Sequence, residues 1–199
     1  MSASDPRRPH LYLASQSPRR RELLQQLGVA FTPVAVQVDE TPRPAETAED
    51  FVRRLALEKA QAGRRVLSGG GPVLGADTAV VLGDRILGKP KHRQDALDMV
   101  GALSGTTHRV LTGVALVEGA HEAVRLSDTR VTFRNLSLQE CNSYWNSGEP
   151  CDKAGAYAIQ GLAAAFVTHI EGSYSGVVGL PLFETSELLG EFGIYLFTD

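Results

Sequence analysis

Hydroxyls beside arginines, lysines set against apolar neighbours, and carboxylates at strands are the groups in this sequence that could work together on a phosphorylated ligand. Residues Ser15-Gln16-Ser17-Pro18-Arg19-Arg20-Arg21 join an expected strand end to an expected helix start. Unpaired N–H groups and the helix dipole favour an anion at such a place, which makes Ser15, Ser17, Arg19 and Arg20 candidate phosphate contacts. A well-capped surface helix with solvated arginines has the same pattern. A Walker A loop does not, because the Gly-rich spacing and the Gly-Lys-Ser/Thr ending are absent.

Lys59 falls on the same helical side as Phe51, Leu55 and Ala62, an ammonium in an apolar arc. It either snorkels to water or reaches into a phosphate or carboxylate cluster. Asp77 sits in the middle of Val73-Leu74-Gly75-Ala76-Asp77-Thr78-Ala79-Val80-Val81-Leu82. Burying an isolated carboxylate costs several kcal/mol and forces pairing or protonation. Asp77 is therefore a candidate metal ligand or general base, the plainer alternative being an aspartate bonded to loop amides. Glu40, just after an expected strand, could supply a second carboxylate for a hard cation such as Mg2+ or Mn2+; alone it reads as a solvated loop acid. Lys89-Pro90 places another cation at a rigid turn. Asp152-Lys153-Ala154-Gly155-Ala156-Tyr157-Ala158-Ile159-Gln160-Gly161 combines small residues with polar groups able to read a base edge, or it is a glycine-rich loop and strand. Gly172-Ser173-Tyr174-Ser175-Gly176-Val177-Val178-Gly179-Leu180-Pro181 could line a ligand or simply turn the chain.

The elements that must position these groups alternate between strand and helix. Strands are expected at His10–Ala14, Phe31–Val38, the 73–82 run, Arg109–Val117, Ala123–Phe133 and Ala164–Ile170. The 73–82 run is almost continuously apolar, as in a central strand covered on both faces. Helices are expected after Ser17 with Pro18 at the first position and Gly28 at the end, after Thr47, over Gln94–Leu103, after Ser137 with Glu140 completing a capping box, and over Pro181–Leu189. Such alternation favours an α/β domain around a mixed sheet. No internal repeat or low-complexity segment interrupts it.

With 199 residues and 43% hydrophobic content, the chain can bury an ordinary core in one domain or two small lobes. Residues 1–9 read as a loose polar tail, with no apolar stretch of the kind a secretory signal needs. No run approaches the ~18 apolar residues of a membrane span, so a soluble protein is expected. A net charge of −3 argues against wrapping nucleic acid. The 2 cysteines, Cys141 and Cys151, suit a reducing compartment rather than a disulfide framework, hence a cytoplasmic location. The 5 histidines show no pairing at metal-binding spacing.

Taken in order, Ala14 to Arg20, Val38-Asp39-Glu40, Leu57-Glu58-Lys59-Ala60, Leu74 to Thr78, Gly88-Lys89-Pro90, His108 to Val114, Asp152 to Gly161 and Gly172 to Pro181 resemble the Maf (septum-formation inhibitor) family of nucleotide pyrophosphatases. The resemblance runs from about His10 to the last helix. It implies a two-lobed α/β fold over residues 10–199, a mixed twisted sheet with a central cleft, similar to inosine triphosphate pyrophosphatases. It also implies hydrolysis of a nucleoside triphosphate to the monophosphate and pyrophosphate, and a homodimer at the level of the family. By the family's pattern Asp77 is the proton acceptor, and Arg19, Thr78 and Gln160 set base preference. The Ala-Tyr-Ala-Ile-Gln-Gly form looks like the branch acting on dTTP and UTP rather than the one acting on 7-methyl-GTP. Gly176 departs from the family's usual Asn, and Cys151 fills a variable place.

On this reading Asp77 with Glu40 holds a divalent cation, Mg2+ or Mn2+, and Asp77 takes the proton of an in-line water. Lys59, Lys89 and Arg20 balance the charge of the leaving pyrophosphate, with Ser15, Ser17 and Lys153 as further substrate contacts. The Gln160 amide offers both a donor and an acceptor, matching the O4 and N3–H edge of uracil or thymine. The alternatives are a pyrophosphatase for inosine, modified-pyrimidine or 7-methyl-guanosine nucleotides, and a non-enzymatic nucleotide-binding regulator of cell division.

Overall fold

Local signals start the helices where the sequence places them. Ser17 accepts the Arg20 N–H with its side chain and Pro18 occupies the first turn, giving α1 (Pro18–Gln26). Gly28, at φ +69°, ends it in the left-handed conformation that glycine adopts freely. Thr47 caps α2 (Ala48–Val66) through the Asp50 N–H, with Glu49 and Asp50 in its first turn and Arg64 and Arg65 in its last. Both charge sets complement the helix dipole. Ser137 and Glu140 form the expected capping box of α4 (Leu138–Asn146).

The computed structural model describes residues 10–196, so the tail expected over residues 1–9 lies outside the described residues. The strands are β1 (Leu11–Leu13), β2 (Phe31–Pro33), β3 (Val73–Leu82), β4 (Arg85–Leu87), β5 (Thr107–Glu118), β6 (His121–Phe133) and β7 (Val167–Glu171). The remaining helices are α3 (Arg93–Leu103), α5 (Tyr174–Val178) and α6 (Leu182–Glu191). The sheet order is β2-β1-β3-β5-β6-β7, with β4 pairing to β3. β1 runs parallel to β2 and β3, whereas β4 and β7 are antiparallel to their partners, so the sheet is mixed and the fold α/β. Among the described residues no helix is long and apolar enough to cross a membrane.

The chain divides into two compact units. Unit 1 takes the described residues up to Asp77, Thr112–Ser127 and the described residues from Gly179 onward; unit 2 takes Thr78–Leu111 and Asp128–Val178. In unit 1, α2 lies directly on the strands. A Cβ on Gly75 would stand 2.2 Å from the Ala56 carbonyl oxygen, and one on Gly113 would stand 2.4 Å from that of Val52. Ala56, Ala60, Ala115 and Val117 complete a small-residue contact there. Unit 2 has its own core, in which Phe133, Tyr157 and His108 meet edge to face and α3 and α4 supply Leu103, Val100 and Tyr144.

Several expected elements come out differently. The strand expected over Phe31–Val38 ends at Pro33, which has no N–H to continue a ladder and lies in the strand at the end of the sheet order. Residues 164–166 belong to a 3-10 turn (Leu162–Phe166), and the strand begins only at Val167. The segment 152–161, for which a glycine-rich loop and strand is the plainer of two readings, contains no strand; it winds through 3-10 turns at Glu149–Asp152 and Ala154–Ala156, with Gly155 at φ +67°. The glycine-rich stretch 172–181 contains the short helix α5.

Two consequences are measurable. Gly75→Ala forces a methyl against helix backbone that cannot rotate away, and it should cost about 3 kcal/mol in a denaturant titration, near the upper end for overpacking. Burial lowers the His108 pKa from its ordinary value to about 4. Between that value and about 6.5 the unfolded chain therefore binds a proton that the folded chain refuses. Stability should then fall as pH drops through this window, by up to ~1.4 kcal/mol per pH unit, and be indifferent to His108 above it. Denaturation midpoints at pH 7 and pH 5, compared with those of His108→Gln, isolate this component.

Candidate functional site

Unit 1 gathers one cation between two acids. Lys59, on the buried side of α2, places Nζ 2.6 Å from Asp77 Oδ1 and 2.6 Å from Glu40 Oε1. The Lys59 and Asp77 side chains are only 11% and 10% exposed, while that of Glu40 is 50% exposed, so the pair faces solvent on the Glu40 side. The apolar arc of α2 presents Lys59 here because Phe51, Val52, Leu55 and Ala56 are all buried below it. The close approach permitted by Gly75 brings that helix face onto β3, two residues before Asp77 in the chain.

The electrostatics of Asp77 are governed first by burial, which raises its pKa above the ordinary value. Lys59 and Arg20 pull the other way, and Glu40 adds to the rise. A carboxyl pushed upward in this way holds a proton more readily than an exposed aspartate, as a general base requires. Arg20 has its charge opposed by burial and supported by Asp77 and Glu40, while Arg19 beside it opposes it further. Its Nε donates to the Gly179 carbonyl at 2.8 Å, which fixes where the guanidinium points.

The segment before α1 is folded on itself. Ser15, 7% exposed, accepts the Ser17 N–H on its hydroxyl at 3.2 Å, and Ser17 in turn accepts the Arg20 N–H at 3.5 Å. Arg21 does not join the cluster; its guanidinium turns back to the Gln16 carbonyl at 2.9 Å. The loop that follows Glu40 is tied down by α2. Arg54 binds Glu46 through Nε at 2.5 Å and through a terminal nitrogen at 2.7 Å, and also donates to the Thr41 carbonyl. The Arg54 hydrogen bond draws the Glu46 pKa down to about 2. This clamp, which no local sequence signal announces, holds the Glu40 loop to the helix that carries Lys59.

Unit 2 holds the remaining candidates. Thr78 follows Asp77 in β3 and is half-buried. The Gly155 N–H donates to the Gly88 carbonyl at 3.0 Å, tying the Gly88-Lys89-Pro90 turn to the Lys153–Gln160 segment. Lys89 is exposed, and the Lys153 ammonium pairs with Asp152. Gln160 is exposed, directly after the buried run Gly155–Ile159.

The acids of unit 1 suit a hard divalent cation. Among the described residues no group of three or more His, Cys, Asp or Glu could hold a metal. Glu40 and Asp77, which meet at Lys59, are two carboxylates that could serve as ligands. That donor set matches an ion such as Mg2+, which takes one or two carboxylates and completes its shell with phosphate oxygens and water rather than with a full protein cage.

Comparison with known proteins adds a family. The model of the family described as Maf-like protein matches residues 10–192. A protein of Alkalilimnicola ehrlichii named dTTP/UTP pyrophosphatase is 59% identical over 94% of this chain and 95% of its own. One of the same name from Hahella chejuensis is 53% identical over the whole of both chains. Among solved structures, a dITP/XTP pyrophosphatase of Mycobacterium abscessus is similar at 18% identity and a TM-score of 0.39, covering 62% of this chain and 74% of its own.

Removing the shared cation tests the cluster. Lys59→Met leaves two carboxylates facing each other and should lower stability by about 3 kcal/mol at pH 8. Without its ammonium the folded-state pKa of Asp77 rises further above the unfolded value. The folded chain then binds the extra proton, and the loss should shrink as pH falls toward 5. Denaturant titrations of both proteins at the two pH values read this difference directly.

Proposed function

The chain belongs to the Maf family, and from that premise we propose that it is a nucleoside triphosphate pyrophosphatase that hydrolyses dTTP and UTP to the nucleoside monophosphate and pyrophosphate. The observation that carries the reading is the meeting of Glu40, Lys59 and Asp77 at one place in unit 1. Its relatives named dTTP/UTP pyrophosphatase, 51% to 59% identical over most of the chain, support the substrate class.

Hydrolysis of a phosphoanhydride needs an aligned water and neutralised charge more than covalent help from protein groups. In the proposed reaction, water attacks the α-phosphorus, Asp77 takes a proton from that water, and the bond from the α-phosphorus to the α,β-bridging oxygen breaks. The bridging oxygen departs with the pyrophosphate. Lys59 and Arg20 stabilise the charge that gathers on the leaving group. Ser15, Ser17 and the start of α1 supply hydroxyl and N–H donors to phosphate oxygens. A bound Mg2+ or Mn2+, with Asp77 and Glu40 as its carboxylate ligands, would supply Lewis-acid polarisation of the phosphoryl oxygens. The raised pKa of Asp77 favours its role as proton acceptor, and the Lys59 ammonium, donating to Oδ1 at 2.6 Å, orients the carboxyl.

The base preference is assigned to Arg19, Thr78 and Gln160, on the family's pattern, and Lys89 and Lys153 are further substrate contacts. Among the described residues the Gln160 side chain takes no hydrogen bond of its own, so both halves of its amide can serve a pyrimidine edge.

Purified protein with Mg2+ or Mn2+ and a panel of triphosphates should release pyrophosphate fastest from dTTP and UTP. Release of inorganic phosphate instead, or equal rates across the panel, would overturn the assignment. Asp77→Asn should keep its fold and lower kcat by about 100-fold or more, the range of a lost general base. Chelation of the divalent cation should abolish turnover and re-addition restore it.

A further inference from the structure

The backbone just after Gln160 is bound by a carboxylate that neither the sequence pattern nor the reaction uses. Glu149, in the 3-10 turn before the Asp152–Gly161 segment, accepts three hydrogen bonds from within unit 2. The Tyr144 hydroxyl donates to its Oε1 at 2.7 Å, the Ala163 N–H donates to the same atom at 3.3 Å, and the Leu162 N–H donates to Oε2 at 2.9 Å. Leu162 and Ala163 are the first residues of a 3-10 turn whose preceding residue, Gly161, provides no side-chain cap. Glu149 therefore does from a distance what an N-cap does locally, satisfying N–H groups that have no partner inside the turn.

The same cluster grips the chain on the other side of Gln160. The Tyr144 hydroxyl, while donating to Glu149, accepts the Ala158 N–H at 3.1 Å. Gln160 thus lies two residues after one anchored amide and two residues before another, with both anchors joined through Tyr144 and Glu149. The approach is close: a Cβ on Gly161 would stand 2.1 Å from Glu149 Oε2, so only glycine next to Gln160 admits the carboxylate. One residue further back, the Tyr157 hydroxyl meets His108 Nε2 at 2.8 Å, and the run from Gly155 to Ile159 is buried. Gln160 is the point at which this pinned segment reaches solvent.

We propose that Glu149 and Tyr144 are positioning residues for base selection, holding the backbone on both sides of Gln160 so that its amide stands at a fixed place against the pyrimidine edge. The proposal rests on Gln160 reading the base. A side chain on a freely moving loop would spend rotational and translational freedom on binding, and a displacement of about 1 Å at a positioned group can cost on the order of 100-fold in rate. Preference should accordingly depend on residues that never touch the nucleotide.

The test measures kcat/KM for UTP and for GTP in the wild-type protein, Glu149→Gln, Tyr144→Phe, Gln160→Ala and the Glu149→Gln/Gln160→Ala double variant. Melting temperatures check that each is folded. The expected result is a fall of about 10-fold in the UTP-to-GTP ratio for Glu149→Gln and for Tyr144→Phe. The double variant should show the ratio of Gln160→Ala alone, because a residue that works through Gln160 has nothing left to position. A purely structural role would lower both substrates together and leave the ratio intact, and that outcome overturns the proposal while the Gln160 reading stands. An unchanged ratio in Gln160→Ala removes the base reading itself and the proposal with it. Tyr144→Phe, which keeps the ring and its packing, carries the test alone if Glu149→Gln does not fold.

Discussion

A single ammonium between two carboxylates organises the chemistry of unit 1. Lys59 Nζ is within 2.6 Å of both Asp77 and Glu40, so one ammonium offsets the mutual repulsion of the two acids. Removing charges from water costs several kcal/mol per ion, and the cost is tolerable here because Glu40 remains half in solvent and Arg20 adds a second cation to the field of Asp77. The same arrangement gives a buried acid whose pKa is raised yet whose geometry is fixed. It also brings carboxylate oxygens from two remote segments to one ammonium.

That contact depends on how near a helix can come to a sheet. α2 reaches β3 and β5 because Gly75 and Gly113 put nothing between helix backbone and strand, and a methyl at either would overlap carbonyl oxygen. Phe51, Val52 and Leu55 then fix the rotation of α2, so that Lys59 must point along the buried face. The Arg54–Glu46 clamp extends this control to the loop that carries Glu40. Helix packing, glycine placement and one largely covered ion pair together bring two acids 37 residues apart in sequence, 40 and 77, to the same ammonium.

Unit 2 solves a different problem by similar means. Its segment 152–163 has little regular structure, only 3-10 turns, so many of its N–H groups must find partners outside a helix or ladder. Tyr144, Glu149 and His108 are buried or half-buried side chains that satisfy or fasten that segment from the surrounding core. Gln160 is exposed between two backbone amides, those of Ala158 and Leu162, that these side chains satisfy.

The sequence by itself determined whatever depends on residues a few positions apart. Ser17 with Pro18, Thr47, and Ser137 with Glu140 mark helix starts because a side-chain oxygen and the N–H it caps lie within one turn. The apolar run 73–82 marks the inner strand, and the out-of-pattern Lys59 and Asp77 announce that each needs a partner. Sequence could not say that the two are each other's partners, that Arg20 is aimed by the Gly179 carbonyl, or that Glu149 accepts the Leu162 N–H. Nor could it show that the strand begun at Phe31 stops at Pro33 or that residues 152–161 wind into 3-10 turns. Those outcomes were decided by tertiary structure, since a charge or an unpaired N–H finds its partner by distance in space, and that distance is set only once glycines and buried side chains have brought remote segments into contact.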